Sequence, residues 1–427
     1  MALRLRLRGP SGKQHTASLP ETATFADLRE EAATAFTLAE GEVEVLLGFP
    51  PALCTAAGDS LLSSLVKSGE SATVRQATAG PGALPAAEVP AAGATMSEGV
   101  LRLGLIADIQ YADADDGSDF SGVEQRHFRN ALKILESAVA TWNAQDVDVV
   151  VQLGDAIDGR NKSAGESDSA WHSVFDILAR ARTPRRIDML GNHELYNFNR
   201  DFLQRFFRLP GEAFYQAHVL SERWEALVLD PFEIALVGYP EDHPCYLQAR
   251  NVMKEHNPGV LDPSVKDWFT GLPVEKHRYV PFNGGISDAQ VAWLVGSLAA
   301  AKEAGRSVLL FSHVPLYQPA TKAKTILWNC DEVLRILSDY ASTVVAVFAG
   351  HDHDGGYAVD PAGIHHVTMN SPLTSDVGLD CFAVLDCYDG WARMVSYGRA
   401  CVESDTGGKG KAYAELMLAK GAENLPG

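Results

Sequence analysis

Cysteine is scarce in this chain: six among 427 residues, at positions 54, 245, 330, 381, 387 and 401, with no Cys-x-x-Cys pair. That scatter argues against a structural zinc cage or a disulfide framework, and buried thiols in a reducing compartment are the expectation. Positive charge is also short. Lys and Arg number 36 against 55 Asp and Glu, for a net charge of −19. Neither nucleic acid nor an anionic membrane is therefore an expected partner. No apolar run reaches the roughly 18 residues of a membrane span. The opening MALRLRLRGPSG alternates charge and leucine where a secretory signal would be continuously apolar. A cytoplasmic location is the expectation.

What is present looks globular: 46% hydrophobic and 21% charged residues are ordinary for a packed domain. Residues 77–98, ATAGPGALPAAEVPAAGATMSE, are rich in Ala, Pro and Gly and have no hydrophobic period. This is the composition of a flexible linker. It divides the chain into a front domain (1–76), a long domain (99–402) and a tail (403–427) that is Gly-rich and then briefly helical. Most of the acidity belongs to the long domain.

The front domain alternates first. LRLRLRG (3–9) has period two and predicts a strand, with HTASLP as its hairpin partner. TFADLREEAATAF (24–36) predicts a helix capped by Thr24, with Phe25, Leu28, Ala32 and Phe36 on one side. EVEVLLGFPP (42–51) and SATVRQA (71–77) predict further strands. This order suggests a small β-grasp domain. Together with the LLGFPP turn it resembles the ubiquitin-like, UBX-type domain at the N-terminus of an OTU-family deubiquitinase. That resemblance implies a AAA unfoldase as partner, docked through Phe49 and Pro50. The domain has no Gly-Gly end, so conjugation to other proteins is not implied.

In the long domain, five apolar runs each end in polar residues suited to metals. LRLGLIADIQ ends in Asp108 and Gln110, and VDVVVQLGDAIDGRN in Asp155 and Asp158. RRIDMLGNHELYNF ends in Asn192 and His193, SVLLFSHVPLY in His313, and VVAVFAGHDHDGGY in His351 and His353. Val-, Leu- and Ile-rich runs bounded by glycine predict buried strands. Segments 124–143, 167–182 and 287–305 between them predict helices. In α/β sheets, ligands bind beyond the carboxyl ends of the strands, where all five clusters fall.

Carboxylate, amide and imidazole together suit Mn, Fe or Zn better than Ca. Seven such ligands exceed the needs of one ion. Two ions about 3.5–4 Å apart share a carboxylate and clamp a phosphoryl oxygen. Asp155 is placed to be that bridge, because Gly154 before it allows a tight turn. A Gly-flanked HxH loop aims His351 at one ion and His353 at the other.

D-x-Q, GDxxD, GNHE, a lone His after FS, and GHxH occur in the order of the calcineurin-like metallophosphoesterases. GDAIDGRN, GNHELYNFNR, FNGGISDAQVAWL, SHVPLY and FAGHDHDGGY resemble more closely the Mn-dependent ADP-ribose/CDP-alcohol diphosphatases. The resemblance spans roughly 99–400. It implies an α/β (α+β) metallophosphoesterase fold, a two-sheet sandwich flanked by helices. It implies that Asp108, Gln110, Asp155 and His353 bind one metal, and Asp155, Asn192, His313 and His351 the other. Mn is the implied metal, with Fe or Zn as alternatives. His193 is implied to lie beside the scissile phosphate. A metal-bridging hydroxide would attack one phosphorus of a pyrophosphate in a nucleotide-linked substrate. Phe120, Arg160, Tyr196, Asn197 and Phe198 are implied to wall the substrate site. One residue departs from the pattern: Asp352 stands between the two histidines where Thr or Ser is usual, and would either add an outer hydrogen bond or repel an anion.

Two other readings stay open at this stage. One is a phosphodiesterase or phosphatase on the same metal centre. The other is an unfoldase-recruiting adaptor with an inert phosphoesterase domain. His127, His172, His365 and His366 lack ligand spacing and read as structural. YADADDGSD (111–119) lacks the EF-hand glycine and terminal Glu and reads as a solvated loop.

Overall fold

The computed structural model describes residues 2–8, 14–20, 22–36, 43–47, 52–53, 71–76, 100–118, 122–209, 211–404 and 410–420. The chain forms two compact units, Met1–Ser97 and Glu98–Gly427. The linker expected over 77–98, the Phe49–Pro50 turn and Phe120 lie outside the described residues.

In the first unit, strand Ala2–Arg8 pairs antiparallel with Gln14–Pro20 and parallel with Ser71–Gln76. Ser71–Gln76 pairs antiparallel with Val43–Leu47, and Ala52–Leu53 adds a short edge that the sequence did not announce. Leu5 and Leu7, two apart, are both buried, as the alternation of a half-buried strand requires. Helix Phe25–Phe36 buries Phe25, Leu28, Ala32, Ala33 and Phe36. Its cap is reciprocal: the Thr24 backbone N–H donates to Asp27 Oδ2 at 2.7 Å, and the Asp27 N–H donates to Thr24 Oγ1 at 3.4 Å. Strand-strand-helix-strands in this order is the β-grasp arrangement.

The second unit is a sandwich of two six-stranded mixed sheets. One has the order Arg186–Asp188, Val149–Gln152, Leu101–Ile106, Cys381–Cys387, Trp391–Gly398, Glu415–Ala419; its first three strands are parallel. The other has the order Gln216–Val219, Trp224–Val228, Ser307–Phe311, Val344–Ala349, His365–Thr368, Gly356–Val359, with four parallel strands at its centre. A single buried cluster joins the facing surfaces, with Leu103, Leu105, Val149 and Val151 from one sheet and Ala226, Val228, Leu309, Phe311 and Phe348 from the other. Helices cover the outer faces. Trp142 of helix Asn130–Ala144 lies over Gly104, where a Cβ would stand 2.6 Å from the indole. Helix Asp288–Glu303 buries Leu294, Leu298 and Ala301. The parallel strands all point their carboxyl ends to one rim, so Asp108, Asp155, Asn192, His313 and His351 follow strand ends on that rim.

Three expectations need correction. The helix predicted from 124 begins only at Asn130, because Gln125–Arg126 pairs with Gly117–Ser118 as a short ribbon. The helix predicted over 167–182 ends at Leu178. The tail is not helical: Glu415–Ala419 is a strand on the edge of the first sheet, with Leu416 and Leu418 buried in the common core. Residues 415–419, past the boundary expected at 402, thus belong to the sandwich. Five residues are too few for their own periodicity to show, and the open edge of Trp391–Gly398 decides their conformation.

His365 and His366 are buried structural residues, bonded to Tyr357 and Asp360 respectively. The acidic loop is tied down by Arg129 to Asp113 and Asp115, and by His127 to Asp116. The strand assignment of the tail has a direct test. Leu418→Ala should lower unfolding stability by about 2–5 kcal/mol in urea denaturation, the cost of a core truncation; a change below about 0.5 kcal/mol would return these residues to a peripheral tail.

Candidate metal centre

The centre is built from loops that leave strand ends by sharp turns. Asp108 (φ 48°), Gln110 (φ 42°), Asp155 (φ 56°) and His351 (φ 70°) all adopt left-handed backbone, four of the six non-glycine residues that do so among those described. Such conformations cost of order 1–3 kcal/mol each and gather where geometry serves a site. The loops are stitched together. The Asp108 N–H donates to Gly154 O at 3.1 Å, the Gln110 N–H to Asp155 O at 2.9 Å, and the Gly350 N–H to His313 O at 3.0 Å. Glycine is required at the closest approaches: a Cβ on Gly191 would stand 2.0 Å from Asp155 Oδ1, and one on Gly350 2.3 Å from Asp108 Oδ2.

Hydrogen bonds decide which atoms remain free. Asp108 Oδ2 accepts from the His351 backbone N–H at 2.8 Å, leaving Oδ1 unpaired. Asp155 Oδ1 accepts from the His193 N–H at 2.8 Å, leaving Oδ2 to face His313 Nε2 at 3.3 Å. Asp108 Oδ1, Gln110 Oε1, Asn192 Oδ1 and His313 Nε2 are buried without any hydrogen-bond partner. Buried polar atoms are normally satisfied, and four orphans from three separate loops are what a cation site needs.

The histidine tautomers follow from their fixed partners. His313 Nδ1–H donates to Leu153 O at 2.8 Å, so Nε2 carries the lone pair. His353 Nδ1–H donates to Glu124 Oε1 at 2.9 Å, and its Nε2 stands 3.7 Å from Asp108 Oδ1. His351 Nε2–H donates to Asn283 Oδ1 at 2.7 Å, which turns Nδ1 inward. Ligand atoms of Asp155, His313 and His351 lie within 4.8 Å of one another. His353 pairs instead with Gln110, at 2.8 Å. Asp155 Oδ2 therefore lies between His313 on one side and Gln110, itself bonded to His353, on the other. The set is all nitrogen and oxygen with two carboxylates, which fits a pair of divalent cations such as Mn.

His193 differs. Its Nδ1 accepts the Gly159 N–H at 2.7 Å. The neutral ring then carries its proton on Nε2, 3.9 Å from Asp155 Oδ2. It is a donor at the edge of the centre, not a ligand.

Electrostatics follow burial. Burial raises the Asp108 carboxyl to about 6. Burial also opposes ionisation of Asp155, but His313 and His193 hold it below the usual carboxylate range. Burial disfavours the charged form of His313, yet Asp155 beside it lifts the imidazole to about 9. Burial, helped by His313, drops His351 to about 3. Protons and divalent ions compete for these lone pairs, so metal uptake here releases protons.

Three supporting residues had no role in the sequence reading. Glu194, the last residue of GNHE, is buried and accepts the backbone N–H groups of Asp155, Ala156 and Gly191 at 2.8, 2.6 and 2.7 Å, locking two loops together. Asn283 of FNGG holds His351. Glu124 holds His353 and had no signal in the sequence at all. Asp352 neither coordinates nor repels at the centre. Its Oδ2 accepts from Thr321 Oγ1 at 2.8 Å, the Lys322 N–H at 2.9 Å and Thr325 Oγ1 at 3.2 Å, and Lys322 Nζ stands 3.2 Å from its Oδ1. It anchors the histidine loop to residues 321–325.

The expected substrate wall is mostly revised. Asn197 is buried, and its amide is spent on Asp158 O, His193 O and the Ser167 hydroxyl. Phe198 packs on Trp171 and Phe202. Arg160 lies over the Phe128 ring at 3.6 Å and bonds Asp158. Tyr196 is exposed beside His193, with ring centroids 5.2 Å apart, and keeps a place on the rim.

The profile of the calcineurin-like phosphoesterases matches residues 101–355, and that of the "OTU1, UBXL domain" matches residues 4–53. The manganese-dependent ADP-ribose/CDP-alcohol diphosphatase of Arabidopsis thaliana is 33% identical over 72% of this chain and 97% of its own length. The human enzyme of that name is 31% identical over 73% and 94%. The crystal structure of a dimetal phosphatase from Danio rerio superposes with a TM-score of 0.68 at 29% identity, covering 75% of this chain and 99% of that one.

Asp352→Ala strands the Thr321, Lys322 and Thr325 donors. It should destabilise the fold by about 1–3 kcal/mol in thermal unfolding; an unchanged melting temperature would contradict the anchoring role. Gly191→Ala forces a methyl onto Asp155 and should abolish tight Mn²⁺ uptake measured by calorimetry, whereas uptake like that of the unmodified chain would show that this approach can relax.

Proposed function

Since the chain belongs to the calcineurin-like phosphoesterase family, we infer that it hydrolyses the pyrophosphate bond of nucleoside-diphosphate-linked small molecules, ADP-ribose and CDP-alcohols such as CDP-choline, with manganese as its metal. The observation that carries this reading is the meeting of His313, His351 and Gln110, the last bonded to His353, around the Asp155 carboxylate. The substrate class is supported by relatives of that name that align over nearly their whole length.

Asp108, Gln110, Asp155 and His353 would hold one ion, and Asp155, Asn192, His313 and His351 the other. When bound, the ions lower the pKa of water and neutralise phosphoryl oxygens. The protein supplies the rest. The left-handed turns fix the donors before substrate arrives, so little reorganisation accompanies the reaction. Water adds to one phosphorus, the bridging P–O bond breaks, and two phosphomonoesters leave. His193 Nε2–H is the donor for the departing oxygen, its ring held by the Gly159 N–H. Tyr196 lines the entrance beside it.

Resemblance of the first domain also supports recruitment of a AAA unfoldase in the cytoplasm through Phe49 and Pro50. The full-length chain should capture the unfoldase in a pull-down, and Phe49→Ala should abolish capture; equal capture by both would remove this reading.

The catalytic reading is tested with purified protein and Mn²⁺ against ADP-ribose, CDP-choline, cyclic nucleotides and p-nitrophenyl phosphate. The first two should be cleaved, with Asp155→Asn reduced to background. His193→Ala should lose roughly 10²–10⁴-fold in kcat, the usual contribution of a positioned proton donor, while still taking up metal. Preference for p-nitrophenyl phosphate would instead favour a general phosphatase.

A further inference from the structure

The two imidazoles of the GHxH loop are backed by different chemistry. His353 Nδ1–H donates to the carboxylate of Glu124 at 2.9 Å. His351 Nε2–H donates to the amide oxygen of Asn283 at 2.7 Å. The Asn283 orientation is not free to invert. Its Nδ2 already donates to the carbonyls of Arg278, Lys324 and Ile326, at 2.9, 2.9 and 3.2 Å, and the residue is fully buried. An oxygen must therefore face His351, and it is a neutral one.

The surroundings sharpen the difference. On the His353 side stand Asp108, the shared Asp155 and, one layer out, Glu124. On the His351 side the shared Asp155 is the one carboxylate among the implied ligands, beside Asn192, His313 and His351; farther out, Asp352 acts on His351, and Asp108 and Glu194 act on His313. A carboxylate behind a ligating imidazole raises its basicity and fixes its orientation, whereas an amide fixes orientation alone. Arg126 lies 3.5 Å from Glu124 Oε1 and offsets part of its charge. Both side chains are about a quarter exposed, so solvent screens that pair more than it screens the inward-facing bond to His353.

Resting on the dinuclear reading above, we propose that Glu124 and Asn283 are positioning residues that make the two metal positions unequal: the position served by His353 and Glu124 fills first and holds its ion tightly, and the position served by His351 and Asn283 fills second and exchanges. The charge imbalance then sets an order of loading within one fixed scaffold. The 321–326 segment takes part in both halves of the HxH loop, because it anchors Asp352 and supplies two of the three carbonyls that orient Asn283.

The test is a Mn²⁺ titration of metal-stripped full-length protein, read by the electron paramagnetic resonance signal of free Mn²⁺, which needs no substrate. The unmodified chain should bind two ions in two classes. Glu124→Gln keeps a hydrogen-bond acceptor and removes the charge; it should weaken the tighter class by about 10–100-fold and leave the weaker class within about threefold. Asn283→Ala should weaken only the second class. Circular dichroism reports whether that variant folds, and if it does not, Glu124→Gln alone decides. Two indistinguishable classes in the unmodified chain, or equal weakening of both by Glu124→Gln, would overturn the proposal. Uptake of fewer than two ions by the unmodified chain would remove the metal centre itself. Two unequal classes without cleavage of ADP-ribose or CDP-choline would leave this proposal standing and discard the substrate assignment.

Discussion

Everything at the site depends on the way Asp155 is held. Its backbone is left-handed, one carboxylate oxygen is occupied by the His193 N–H, and its own N–H is taken by Glu194. Only then is Oδ2 left pointing at His313 from one side and Gln110 from the other. A buried carboxylate in this condition needs positive charge nearby. Against the cost of burial, Asp155 favours the protonated form of the neighbouring His313. The strained turns and the orphaned atoms are two aspects of one constraint: the scaffold is stable enough to hold anions and lone pairs where they repel or go unpaired.

That stability comes from the sandwich. Two sheets share a continuous core of branched and aromatic side chains, and the carboxyl ends of their parallel strands meet at one rim. Most of the loops are anchored by a buried strand within a few residues of the ligand; Arg186–Asp188, before Asn192, is only partly buried. The error in ligand position is thus set by strand packing and not by loop motion. Glu194 completes the arrangement by joining the GD loop to the GNH loop through three backbone N–H groups. A glutamate held in that bond pattern is a structural tie, although in sequence it looks like one more acidic residue beside a metal.

The ligands were legible in the sequence because each sits immediately after a strand whose apolar run is unmistakable. The family resemblance then sorted them into two groups; in the structure Gln110 bonds His353 and Asp155, while His313 and His351 gather at Asp155. The substrate wall was poorly legible. Asn197 and Phe198 follow the motif so closely that they share its appearance, yet they turn inward, one to bond Asp158 and His193 and the other to pack on Trp171. For Asp352 the sequence left open an outer hydrogen bond or repulsion of an anion, but its carboxylate points the other way, into the Thr321–Thr325 turn. The short terminal strand was missed for a different reason, since an edge supplied by Trp391–Gly398 determined it.

The β-grasp order of the first unit, the buried strands of the second and the seven candidate donors can be read along the chain, because hydrophobic period and residue chemistry are local properties. Which atom of each donor is free, which tautomer each histidine adopts, and that Glu124 and Asn283 stand behind the two imidazoles were decided only by tertiary structure. These depend on hydrogen bonds between residues as much as 243 positions apart, and no periodicity within the chain encodes a contact at that separation.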